Sequence, residues 1–147
     1  MPVRIATPSD IEDWVALRAR LWPGTSQAVH REEAAALLEA MPVNGCVFVH
    51  DDGRGPFAFS EATLRRDHVN GCETSPVAFL EGIYVAPDHR REGVGALLLD
   101  AVRAWARERG CTELASDAHI DNIASHAFHR TLGFEETVRV VCFRTKL

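Results

Sequence analysis

The sequence predicts an α/β fold of the α+β kind, a mixed central sheet flanked by helices and splayed between two parallel strands. Three observations predict it. Residues 79–85 form an apolar strand pattern that runs through a turn and a glycine loop into a long amphipathic helix. A second short strand pattern, 112–118, follows that helix, and a right-handed crossover lays it parallel to the first. Upstream of both, the pattern reads as a strand, two helices and a meander of three strands.

Residues 3–6 make a short first strand. Ser9 and Glu12 have capping-box spacing, and the helix they open carries Ile11, Trp14, Val15, Leu17 and Leu21 on one face. Trp22, Pro23 and Gly24 stop it. A second helix spans about 27–40, so Trp22 either enters the core or lines a cleft between the two helices. Residues 46–50 read as a strand, 51–54 as a hairpin turn, 57–69 as the returning strand and 70–76 as a loop into the central strand.

The helix after the glycine loop packs Val94, Leu97, Leu98, Ala101, Val102 and Trp105 along one stripe, and Gly110 ends it. A further helix opens at Asp121 and Asn122, runs to about Leu132 and closes at Gly133 and Phe134. Residues 135–144 alternate well enough for a last strand or hairpin. No linker, repeat or low-complexity segment interrupts the pattern, which predicts one domain over residues 1–147.

Composition narrows the function. Hydrophobic residues are 46% and charged residues 25%, ordinary for a globular chain. The net charge is −5, from 16 basic and 21 acidic residues, without a basic run of the kind that grips nucleic acid. An acidic protein favours a cationic substrate. No apolar run reaches the ~20 residues of a membrane span and no signal-peptide core is present, so a cytoplasmic protein is expected. Cys46, Cys72, Cys111 and Cys142 form no C-x-x-C pair and read as reduced structural thiols, not a zinc site.

The loop Arg90-Arg91-Glu92-Gly93-Val94-Gly95 carries the chemistry. Alternate glycines let backbone approach a ligand, and the helix that begins there presents free N–H groups and its positive dipole end to anionic oxygens. A nucleoside-triphosphate loop would need Lys and Ser or Thr where Ala96 and Leu97 stand. A dinucleotide fingerprint would need glycine at Leu98, although Glu113 lies at a suitable distance for a ribose acid. The pattern that survives, after a strand ending Val85-Ala86-Pro87, resembles the acyl-CoA pyrophosphate loop of the GCN5-related N-acetyltransferases (the GNAT fold).

A second mark of that superfamily is Asn122, Ser125, Phe128, Leu132, Gly133 and Phe134. Whole phrases resemble a narrower group, the chromosomal aminoglycoside 6′-N-acetyltransferases: Leu17-Arg18 to Leu21-Trp22-Pro23, much of 69–83, Ala115-Ser116-Asp117, and 125–134. Histidine at position 129 replaces the superfamily's usual tyrosine acid and agrees with that group.

The resemblance implies acetyl-CoA as cosubstrate, a cationic aminoglycoside as acceptor, no metal, and a homodimer that in some members exchanges C-terminal strands. It implies coenzyme contacts at Ile83, Tyr84, Val85, Arg90, Arg91, Gly93, Val94, Gly95, Ala96 and Asn122. Glu81 and Asp117 become substrate-binding acids, and Trp22 and His68 become cleft walls. Glu81 is also the candidate base, and His129 faces the coenzyme sulfur. On the residues alone, Glu81 also reads as a satisfied strand acid beside a bulge at Gly82, and Asp117 as a turn or capping residue. A carboxylate is a weak base at neutral pH, so positioning is the larger role expected of Glu81. His119, His126 and His129 admit a metal site, but nothing else completes a strong ligand set. The competing readings are a related acetyltransferase of polyamines or peptides, and a non-catalytic acyl-CoA sensor.

Overall fold

The computed structural model describes residues 3–147. Its sheet runs β1 (Val3–Ile5), β2 (Gly45–Asp51), β3 (Pro56–Arg65), β4 (Val77–Val85) and β5 (Leu114–Ser116), in that spatial order. The first four strands are antiparallel neighbours, and β4 and β5 are parallel, as the crossover through the intervening helix requires.

Period-two alternation sends each strand to two cores. On one face, Val47, Val49 and Phe59 pack against Trp14, Val15 and Leu17 of α1 (Ile11–Leu21) and Ala34 and Leu37 of α2 (Gln27–Ala40). On the other, Cys46, Ala58, Ala62, Ala78 and Leu80 meet Leu98, Leu99, Val102 and Trp105 of α3 (Val94–Glu108). The last helix, α4 (Ile123–Thr131), brings Phe128 against the same core.

One register shift organises the sheet. Glu61 pairs with Gly82 but Ala62 pairs with Leu80, so Glu81 is the extra residue of a bulge in β4. Before the bulge, Ala78 and Leu80 turn their backbone groups toward β5, shown by the Ala78 N–H donating to the Glu113 carbonyl. Beyond it, the Ala86 N–H donates to Phe57 on β3, which by alternation aims Tyr84 and Gly82 at β3 and Ile83 and Val85 at the opposite side. Pairing with β5 ends at Leu80 and Ser116. The edges of Ile83 and Val85 therefore face a gap.

Four expectations change. The capping box lies two residues earlier than Ser9 and Glu12: Thr7 and Asp10 form it around a 3-10 turn at Pro8–Asp10 that leads into α1, and the Asp10 carboxylate accepts from the Thr7 N–H at 2.8 Å. Glu12 is thereby free to pair with Arg31 of α2, 2.8 Å at one contact. The returning strand ends at Arg65 and the second parallel strand spans only Leu114–Ser116. Residues 135–147 hold no strand, because a strand is completed by a hydrogen-bonded neighbour and none lies beside them among the described residues. Their apolar side chains stand in solvent, Val141 at 77% and Phe143 at 91% exposure.

At the sheet edge, Arg4 donates to Asp10 at 2.7 and 2.9 Å and to Asp51 at 2.9 Å. These bonds from Arg4 hold the Asp10 carboxyl below the usual carboxylate range. A lowered carboxyl stabilises the fold above its unfolded titration and loses that contribution as pH falls through the folded value. Thermal melts should therefore show Asp10→Asn lowering Tm at pH 7, with the difference from wild type shrinking toward pH 3.

Candidate functional site

The α1–α2 face of the sheet opens into a cleft of about 570 Å³, lined in part by Arg18, Trp22, Glu33, Glu61, Thr63 and Glu81. Its floor is built on alternate residues of β3. Glu61 and Thr63 point to the helices, and so does Glu81, because the bulge puts Glu81 and Gly82 on one side. A Cβ on Gly82 would overlap the Trp22 ring. Glycine is needed here for the close approach of an aromatic, as well as for the bulge.

Arg18 is 2% exposed and is the hub of the floor. One guanidinium nitrogen pairs with both oxygens of Glu61, the second donates to Glu33 at 2.9 Å, and Nε donates to His30 Nδ1 at 3.2 Å. His30, fully buried, contacts the Trp22 carbonyl through Nε2 at 3.2 Å. A carbonyl only accepts, so Nε2 carries the hydrogen and Nδ1 offers its lone pair to Arg18. The guanidinium also lies 4.8 Å from the Trp22 ring centroid. Burial pushes the Glu61 carboxyl up, to about 7, against the pull of Arg18 and of the Trp14 N–H at 3.2 Å.

Glu81 accepts from Thr63 Oγ1 at 2.6 Å and from Arg65 at 2.9 and 3.1 Å. Of the residues proposed from the sequence, Trp22 and Glu81 line this cleft. Asp117 is exposed just beyond β5, at the level where the strands part beside Glu81. His68 is exposed in the loop after β3 and lies outside the cleft lining. Arg18, His30, Glu33, Glu61 and Thr63 escaped the sequence reading. Two of them had a legible signal, since Arg18 interrupts the apolar face of α1 four residues after Trp14, and Glu61 interrupts an apolar strand.

The opposite side of β4 carries a different surface. Ile83 and Val85 bury their side chains in the α3 core while their backbone edges face the gap. Tyr84 instead packs toward α1 and pairs its backbone with Phe59. The Val85 carbonyl accepts from Arg90 Nε at 2.9 Å, so Arg90 braces the loop. Arg91 adopts φ 66 and Gly93 φ 78, and nothing lies within 4 Å of a Cβ placed on Gly93. This open, left-handed turn exposes the first-turn amides of α3, including those of Val94, Gly95 and Ala96, which have no intrahelical acceptor. Gly95 is small for another reason: a Cβ there would sit 3.2 Å from Phe128 of α4. Asn122 caps α4 by accepting from the Ser125 N–H at 3.1 Å.

α4 also sets His129 against β5. Its Nε2 lies 2.8 Å from Ser116 Oγ, and its Nδ1 lies 2.7 Å from the Ser125 carbonyl. The two surfaces together offer a cleft with more carboxylates than cations, an open amide edge and an anion-binding helix start. That combination suits the joining of a cationic acceptor to a donor bearing phosphates.

Comparisons with known proteins agree with this chemistry. A model of the acetyltransferase (GNAT) family matches residues 11–134. The aminoglycoside N(6′)-acetyltransferase type 1 of Acinetobacter haemolyticus is 46% identical over 147 residues, all of this chain and 99% of that one. The crystal structure of aminoglycoside antibiotic 6′-N-acetyltransferase AAC(6′)-IG from the same organism, apo, superposes with a TM-score of 0.95 at 44% identity, covering 100% of this chain and 99% of that chain. AAC(6′)-Iy in complex with the bisubstrate analogue CoA-S-monomethyl-acetylneamine gives a TM-score of 0.91 at 39% identity, covering 99% and 97%.

Removing one partner of the buried pair strands the other. Arg18→Ala should destabilise the protein by about 3–5 kcal/mol in denaturant unfolding, while Arg18→Met with Glu61→Leu should lose markedly less. The double variant should still loosen the cleft wall, seen as a change in Trp22 fluorescence, because Trp22 and Glu33 both lean on the guanidinium.

Proposed function

The chain belongs to the acetyltransferase (GNAT) family, and we propose that it transfers the acetyl group of acetyl-CoA to the 6′-amino group of aminoglycoside antibiotics. The observation that carries this reading is the pairing of an acidic cleft, walled by Trp22 and floored by Glu81, with an amide-lined gap on the far side of the same bulged strand. The full-length likeness to 6′-N-acetyltransferases supports the substrate class.

The donor fits the residues present. The open turn at Gly93 and the first-turn amides of Val94, Gly95 and Ala96 would take the pyrophosphate, with Arg91 supplying charge. The backbone edge of Ile83 and the N–H of Val85, whose carbonyl is already bonded to Arg90, would receive the pantetheine arm and polarise the thioester carbonyl. Acetyl-CoA supplies the activated acyl group; the chain supplies alignment, which in well-oriented systems is worth about 7–11 kcal/mol.

Glu81 and Glu33 would hold the ammonium groups of the acceptor, with Asp117 available at the splayed end of β5. Glu81 is already bonded to Thr63 and Arg65, which orients its carboxylate and suits it to position the amine more than to strip its proton. His129 would serve the other end of the reaction, as the proton source for the departing thiolate.

The protein would work as a homodimer in the cytoplasm, where acetyl-CoA is available. The apolar side chains of residues 138–143, exposed in the single chain and lacking a strand partner among the described residues, support pairing with a second copy. No helix among the described residues is long and apolar enough to cross a membrane.

Release of free CoA tests the reading directly. Turnover is expected with tobramycin and absent with its 6′-hydroxyl analogue, whereas turnover only with spermidine or a short peptide would overturn the acceptor. Glu81→Gln should lower kcat/KM for the aminoglycoside by about 10- to 100-fold with the KM for acetyl-CoA unchanged. Gly93→Ala should do the reverse, raising the KM for acetyl-CoA through strain at a left-handed backbone. Val140→Asp with Phe143→Asp should convert a dimer to a monomer in light scattering.

A further inference from the structure

Both ring nitrogens of His129 are engaged by this chain, and from that geometry we propose that His129 acts through the hydroxyl of Ser116, which relays a proton to the coenzyme sulfur. The proposal rests on the reading of His129 as proton source. Nδ1 lies 2.7 Å from the Ser125 carbonyl, which can only accept, so Nδ1 carries a hydrogen. Ser125 Oγ adds a second contact on that side at 3.3 Å. Nε2 faces Ser116 Oγ at 2.8 Å, and Phe134 stands against the ring at 5.3 Å between centroids. Neither nitrogen is left to face a reactant.

The Ser116 hydroxyl has one hydrogen and two acceptors to choose between, His129 Nε2 at 2.8 Å and the Leu80 carbonyl at 3.2 Å. Each choice belongs to one charge state of the ring. When the imidazole is neutral, its Nε2 lone pair takes the Ser116 hydrogen. When it is protonated, Nε2–H donates to Ser116 Oγ, and the hydroxyl hydrogen turns to Leu80. Leu80 and Ser116 are also the last paired residues of β4 and β5, so this hydroxyl stands where the gap begins.

The chemistry balances with these two residues alone. As the neutral amine forms its C–N bond, the C–S bond breaks and its electron pair stays on sulfur. Starting from the protonated ring, the Ser116 hydrogen swings from the Leu80 carbonyl to sulfur, Ser116 Oγ takes the Nε2 proton, and the ring is left neutral with its hydrogen on Nδ1. The proton lost by the acylated amine passes to solvent, from which His129 recovers one before the next turnover.

A purely structural Ser116, latching β5 to β4 through Leu80, would make different predictions. Single-turnover acetylation of tobramycin would be measured for wild type, Ser116→Ala, Ser116→Thr, His129→Gln and the Ser116→Ala/His129→Gln pair, with binding of acetyl-CoA and thermal melts in parallel. A relay predicts that Ser116→Ala and His129→Gln each slow transfer by about 10²-fold, the lower end of a general-acid contribution. It also predicts that the pair is no slower than the slower single variant, that Ser116→Thr recovers most of the rate, and that acetyl-CoA affinity is unchanged. A slow His129→Gln beside a wild-type rate for Ser116→Ala would overturn the relay and leave His129 acting by itself. Losses that multiply in the pair, or a Ser116→Thr as slow as Ser116→Ala, would also overturn it. A wild-type rate for His129→Gln would remove the reading of His129, and the relay with it.

Discussion

A single guanidinium, that of Arg18, is the constraint on which the cleft between the helices and the sheet depends. Buried between α1, α2 and β3, it must find a partner for its charge, and Glu61 supplies one from an otherwise apolar strand. Its remaining hydrogens reach His30 and Glu33, so α2 is tied to α1 by polar bonds as well as by packing. The arrangement has a geometric product. Trp22 is held at its carbonyl by His30, at its ring face by Arg18 and at its edge by the missing side chain of Gly82. A buried ion pair is weak evidence for stability; here it orders the wall and floor of a cleft.

The bulge in β4 does comparable work for the gap between β4 and β5. Without the extra residue Glu81, the strand would keep one alternation throughout, and the residue that reaches the cleft would not be followed two and four places on by backbone edges facing the gap. One inserted residue thus puts an acid on one face and aims the amides of Ile83 and Val85 along the sheet edge. The end of pairing at Leu80 and Ser116 then leaves those amides unclaimed by β5. Acceptor and donor would meet across a single strand, with little else required of the protein than to hold them.

The C-terminal segment shows the limit of a single chain. Residues 138–143 carry the alternation of a strand and the composition of a buried one, yet they lie exposed, with no strand beside them among the described residues. Local pattern specifies what a strand could be, and only a hydrogen-bonding edge makes it one.

The sequence by itself determined most of the elements and the glycine loop before α3. Helix limits at 27–40, the hairpin at 51–54 and the glycine turn before α3 were legible because each depends on contacts between residues close along the chain, and the parallel crossover because a helix joining two strands of one sheet fixes their direction. Glu81 and Trp22 were legible as an acid in an apolar strand and an aromatic at a helix break. Tertiary structure alone decided what surrounds them. Arg18 and Glu61 are 43 residues apart, and Ser116 and His129 meet only because α4 folds back on β5. It also decided why Gly95 is small, since Phe128 fills the space above it from another helix. Such pairings are set by register and packing across the fold, and no periodicity along the chain encodes them.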